Sequence, residues 1–69
     1  MMIDVVINYA IINRLHFTFL TESGELSEYA QDAMLFSNRG SADDYIDELD
    51  YPLSFHSIKI QTEYTIGGI

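Results

Sequence analysis

The sequence predicts an α+β fold: a three-stranded antiparallel sheet in the order β-β-α-α-β, with both helices packed on one face. Apolar residues recur at every second position near the N-terminus. They shift to helical spacing through the middle and return to every second position near the C-terminus. At 69 residues, the whole of 1–69 is expected to form a single acidic domain.

The first strand is expected over 2–12 and the second over 15–21. Ile3, Val5, Ile7, Tyr9, Ile11, Leu15, Phe17 and Phe19 occupy odd positions, and Asn13-Arg14 interrupts them. A three-residue loop, Ile12-Asn13-Arg14, would pair Ile11 with Leu15, Tyr9 with Phe17 and Ile7 with Phe19. All odd residues would then share one buried face. One long bent strand is the alternative.

A helix is expected from Glu25 to Ser37, with Leu26, Tyr29, Ala33 and Phe36 at helical spacing and Glu25 and Glu28 in its first turn. Asn38-Arg39-Gly40 would stop it. A second helix is expected from Ala42 to Leu49, capped by Ser41, with Asp43 and Asp44 in its first turn. Its narrow apolar stripe is Tyr45, Ile46 and Leu49, and Tyr51-Pro52 ends it.

The last strand is expected over 55–66. Ile58, Ile60, Tyr64 and Ile66 would face the core, and Lys59, Gln61, Glu63 and Thr65 the solvent. The tail Gly67-Gly68-Ile69 is expected to be mobile. The expected core is Val5, Ile7, Tyr9, Phe17, Phe19, Leu26, Ala33, Phe36, Ile58 and Ile60. On this reading Phe17→Ala would remove about 3–5 kcal/mol, nearly all the stability of so small a fold.

The chain contains no cysteine, so neither disulfides nor thiolate zinc sites can reinforce the core. That absence fits a reducing compartment, and a cytoplasmic location is expected, the host cytosol if the protein is phage-encoded. Dimerisation is an open route to burying more surface. No basic leader precedes the apolar run Val5 to Ile12, which is too short to span a membrane.

Eleven Asp and Glu oppose three basic residues, Arg14, Arg39 and Lys59, giving a net charge of −8. Such a chain repels nucleic acid and anionic membrane and attracts cationic surfaces. Direct nucleic-acid binding and membrane binding are therefore not expected. The acidic residues concentrate in Asp43-Asp44-Tyr45-Ile46-Asp47-Glu48-Leu49-Asp50. On a helix, Asp43 and Asp47 share a face, as do Asp44 and Glu48, and like charges at that spacing cost a few tenths of a kcal/mol per pair. A costly arrangement points to a use for the charge. A merely solvated helix face is the competing explanation. The candidate partner-binding residues are Asp43, Asp44, Asp47, Glu48 and Asp50, with Tyr45 or Tyr51 as an aromatic anchor. Glu22, Glu25, Glu28 and Asp32 form a secondary acidic patch.

Catalytic signatures are absent. There is no G-x-S-x-G, P-loop, G-x-G-x-x-G or H-E-x-x-H. The acidic run lacks the residue order of an EF-hand loop, and His16 and His56 read as sheet residues. No enzyme activity, metal or cofactor is expected.

In its size, acidity, lack of cysteine and acidic segment flanked by Tyr45 and Tyr51, the chain resembles small acidic inhibitors of phages and mobile elements, among them anti-CRISPR proteins and DNA mimics. The resemblance implies a non-enzymatic inhibitor whose carboxylates imitate phosphates. Its partner would be a protein with a basic surface, a nuclease or nucleic-acid-binding effector such as a CRISPR effector. An immunity protein or antitoxin, or a structural oligomerisation subunit, are the alternatives. The chain also resembles ubiquitin-like sulfur carriers in its expected hairpin-helix start and its Gly67-Gly68, but departs from them in ending on Ile69.

Self-repulsion of so many unpaired carboxylates should weaken the fold, and salt should screen it. The melting temperature is expected to rise on adding moderate NaCl. A steady fall would show that the carboxylates are not crowded.

Overall fold

The computed structural model of the chain describes residues 2–66. In chain order these form β1 (Met2–Asn13), β2 (Phe19–Leu20), β3 (Leu26–Ser27), a 3-10 turn (Ala30–Asp32), α1 (Arg39–Asp47), a second 3-10 turn (Pro52–Ser54) and β4 (Phe55–Ile66). The sheet has the order β3-β2-β1-β4, and every neighbouring pair is antiparallel. The α+β class expected from the sequence holds. The three-stranded, two-helix arrangement does not: the described residues contain four strands and one α-helix.

β1 and β4 pair along their whole lengths, from Met2 opposite Ile66 to Asn13 opposite Phe55. Both strands fall where the alternation places them. Their register corrects the assignment of faces. Val5 lies opposite Glu63, Ile7 opposite Gln61 and Tyr9 opposite Lys59, while Asn8 lies opposite Ile60 and Ala10 opposite Ile58. Directly opposed residues share a face, so the apolar positions of β1 sit beside the polar positions of β4. The packing of α1 explains this register. α1 lies over Ile11, and the small Ser57 opposite Ile11 lets the helix approach and donates its Oγ–H to Asp43 Oδ1 at 2.7 Å.

The loop after β1 is also longer than expected. Asn13 Oδ1 accepts hydrogen bonds from the amides of Leu15 (2.9 Å) and His16 (3.1 Å). The Asn13 amide donates to Thr18 O and its carbonyl accepts from the Phe17 amide, both at 2.8 Å. This side-chain turn carries the chain to Ile12 opposite Phe19, pairing an even with an odd position. Phe17 pairs with nothing; it is 70% exposed and adopts a positive φ of 55°.

Instead of Phe17, Phe36 lies opposite Tyr9, and the two residues exchange both backbone hydrogen bonds at 2.8 Å. That pairing removes the helix expected over 25–37. Ala33 has an extended backbone, Phe36 bridges to Tyr9, and between them the Met34 amide donates to Leu20 O at 3.0 Å. Upstream, local polar groups hold turns in place of a helix. Thr21 Oγ1 donates to Glu25 O at 2.9 Å, and Ser27 Oγ accepts from the Tyr29 amide and donates to Asp32 Oδ2. The likeness to sulfur carriers rested on a helix after the hairpin and loses that support. The Gly67-Gly68-Ile69 tail lies outside the described residues.

The surviving helix starts three residues earlier than expected, because Asn38 rather than Ser41 caps it. Asn38 Oδ1 accepts from the Ser41 amide at 2.8 Å. Its inner face buries Ala42 and Ile46 against Ile11 and Leu20, with Tyr9, Met34, Phe36, Tyr45, Leu49 and Phe55 packed around them. Of the expected core, Val5, Ile7, Phe17 and Leu26 are exposed, and Phe19, Ala33, Ile58 and Ile60 are half-buried. The molecule measures 50 × 23 × 19 Å. A packed head encloses one end of the β1–β4 ladder, and the other end projects as a two-stranded ribbon.

Truncation should separate the two halves of the odd-numbered pattern. Ile11→Ala is expected to cost about 2–5 kcal/mol in urea unfolding. Phe17→Asn should cost nothing and gain up to about 1 kcal/mol by relieving a left-handed backbone. A Phe17→Asn variant as unstable as Ile11→Ala would overturn this core.

Candidate acidic docking surface

α1 gathers most of the acidic segment on one side of the head. With Ala42 and Ile46 turned inward, Asp43 and Asp47 flank the helix toward β4, and Asp44 and Glu48 lie on its outer face. All four are exposed, as is Asp50 in the following turn. Carboxylates four residues apart stand about 5–6 Å from each other at Cβ. Asp43 is the one held in place, by the Ser57 hydroxyl.

The cap at Asn38 changes the electrostatics. Asp43 and Asp44 are not in the first turn, so the positive end of the helix dipole does not offset their charge. Arg39 occupies the first helical position, where a cation is unfavourable, and Asp47 ends the helix with Glu48 at its C-cap, where anions are unfavourable. Arg39 instead lies over the Tyr9 ring, 5.3 Å from its centroid. Arg14 donates from Nε to Phe55 O at 3.3 Å. Among the described residues, no Lys or Arg lies within ion-pair distance of a carboxylate.

The two tyrosines flanking the segment divide. Tyr45 is half-buried, its ring 5.6 Å from that of Phe36, and it belongs to the core. Tyr51 is exposed and shares a shallow apolar hollow of about 270 Å³ with Asp50, Pro52, Leu53 and Ser54. Leu53 is 91% exposed and was not singled out in the sequence. Its signal there was an apolar residue that follows Pro52 and fits neither periodicity. A cleft of about 350 Å³ adjoins this tip, lined by Arg14, Asp43, Asp47, Leu53, Phe55 and His56 among others.

The secondary patch is also brought together. Glu22, Glu25, Glu28 and Asp32 all line one open hollow of about 780 Å³ between the β2–β3 turn and the first 3-10 turn. No group of three or more His, Asp or Glu among the described residues is arranged to hold a metal ion. No charged side chain among them is buried. These are hydrated carboxylates on open surfaces, suited to attracting a cationic partner.

Comparison of the chain with protein-family models, curated proteins and solved structures returns no match. Among the described residues, no helix is long and apolar enough to cross a membrane.

Reversing one misplaced charge should stabilise the fold. Glu48→Lys removes the repulsion with Asp44 and sets a cation at the C-terminal end of α1, and is expected to raise the melting temperature by about 2–6 °C. An unchanged or lower value would show that α1 is not strained by its own charge.

Proposed function

We propose that the protein is a non-enzymatic inhibitor that docks α1 and its adjoining tip on the basic nucleic-acid groove of a nuclease or nucleic-acid-binding effector. The observation that carries this reading is the charge of α1. Asp43, Asp44, Asp47 and Glu48 project from one short helix without a cationic partner, against the helix dipole at its C-terminal end. Only Asp43 serves the fold, by accepting the Ser57 hydroxyl; the fold gains nothing from the other three, whereas a Lys/Arg-lined groove would gain a row of anions spaced on a rigid rod.

Tyr51 and Leu53 supply the apolar contact. An exposed aromatic ring beside exposed Leu53 gives buried area at modest entropic cost, next to carboxylates that set orientation. Tyr45 is committed to the core, so the anchor role falls to Tyr51. The hollow lined by Glu22, Glu25, Glu28 and Asp32 extends the negative field and would steer approach.

The test is a neutralised variant, Asp43→Asn, Asp44→Asn, Asp47→Asn and Glu48→Gln, assayed against a basic effector captured from host lysate at low salt. The variant is expected to melt at or above the wild-type temperature and to bind at least about tenfold more weakly. Duplex DNA or RNA should displace the wild-type protein from the effector. Unchanged binding by the folded variant, or capture indifferent to nucleic acid, would sink the phosphate-mimicry reading.

A further inference from the structure

Arg14 is one of three basic residues in the chain, and the fold seats it where it pairs with no acid among the described residues. Its amide donates to Ser54 O at 2.8 Å and its Nε to Phe55 O at 3.3 Å. These two bonds fasten the loop after β1 to the start of β4 and fix the root of the guanidinium. They leave both Nη groups without a partner among the described residues. Arg14 lines the cleft of about 350 Å³ that also takes in Asp43 and Asp47 of α1. Ile46, Pro52, Leu53 and Phe55 give that cleft its apolar lining.

Asp43 is placed as firmly as Arg14. The Ser57 hydroxyl donates to its Oδ1 at 2.7 Å, which leaves Oδ2 open. Asp47 lies one turn further along α1 and is exposed. All three charged residues line one cleft, yet no guanidinium nitrogen comes within 4.0 Å of a carboxylate oxygen. One cation and two anions thus share a space without satisfying one another.

The charges select what can fill the cleft. A metal ion would meet a repelling guanidinium beside its two carboxylates, and no metal-holding group of three stands among the described residues. A simple anion would pair with Arg14 and face both aspartates, and a simple cation would do the reverse. A species carrying both charges satisfies all three groups, and an apolar body on it covers the lining. The volume is at the small end of the roughly 300–1,000 Å³ typical of ligand sites. We propose that this cleft binds a small zwitterion with an apolar side chain, a free α-amino acid or a dipeptide. Its carboxylate lies on the Nη groups of Arg14, in the two-pronged geometry a guanidinium offers. Its ammonium lies between Oδ2 of Asp43 and the Asp47 carboxylate, and its side chain on Ile46, Leu53 and Phe55. The proposal does not rest on the docking of α1 in a basic groove, which has no use for Arg14.

Amide chemical shifts of the full chain, titrated with L-leucine and separately with leucyl-leucine from about 0.1 to about 50 mM, read the binding directly. Saturating shifts are expected at Arg14, Asp43, Asp47, Leu53 and Phe55, in the millimolar range. The ligand that saturates first tells a free amino acid from a dipeptide. The N-acetylated form of that ligand lacks the ammonium and its C-terminal amide lacks the carboxylate. Each should bind at least about tenfold more weakly. Arg14→Gln and Asp47→Asn should each weaken binding of the parent ligand at least about tenfold as well. Three results overturn the proposal: no saturating shift with either ligand, an acetylated or amidated form that binds as tightly as its parent, or a folded Arg14→Gln that binds as wild type. Should Arg14→Gln prove unfolded by circular dichroism, Asp47→Asn decides, because Asp47 is exposed and the substitution keeps its shape.

Discussion

The ladder between β1 and β4 joins the two ends of the described chain, and every other feature hangs from it. Asn13 meets Phe55 and Met2 meets Ile66, so the intervening residues form one long excursion that must return to the same end of the ladder. Closing so large a loop has an entropic cost that grows only slowly with length. It is offset where the excursion packs, over Ile11 and the short strands beside it. The head is therefore small and sits at one end. The rest of the ladder extends past the reach of α1, which is why Val5 and Ile7 stay exposed despite their apolar side chains. Pairing so distant in sequence also implies folding that waits on a non-local contact.

The charge of α1 sets two requirements against each other. A core built around Ile11, Leu20, Ala42 and Ile46 has little stability to spare. Yet α1 bears a cation at its positive end and anions at its negative end. The structure tolerates this because every carboxylate is exposed, Arg39 is occupied by the Tyr9 ring, and Asn38 provides an ordinary cap. A basic groove would supply the missing counter-charge, making binding and relief of strain the same event.

Both long strands and their limits were legible in the sequence, because period-two alternation over twelve residues has no helical equivalent. A helix carrying the acidic segment was legible too, since the stripe Tyr45, Ile46 and Leu49 among acidic residues specifies a face, although Ala42 rather than Leu49 shares full burial with Ile46. So was the crowding of Asp43, Asp44, Asp47 and Glu48, which depends only on spacing along that helix. The excess of negative charge and the lack of cysteine follow from composition and need no coordinates. These are local properties, and the chain determines them by itself.

What only the tertiary structure decided was pairing. Residues 25–37 carry a helical pattern, but Phe36 gains two backbone bonds by lying beside Tyr9, and a weak local preference loses to them. Asn13 reads as a turn, yet its side chain, by bonding Leu15 and His16, lengthened the loop and threw Phe17 into solvent. The division of Tyr45 from Tyr51 depended on where Phe36 came to rest. Above all, alternation shows that a strand has two different faces and is silent on which faces meet. The fit of α1 over Ile11 and Ser57 fixed that choice, and with it placed the apolar side of β1 next to the polar side of β4.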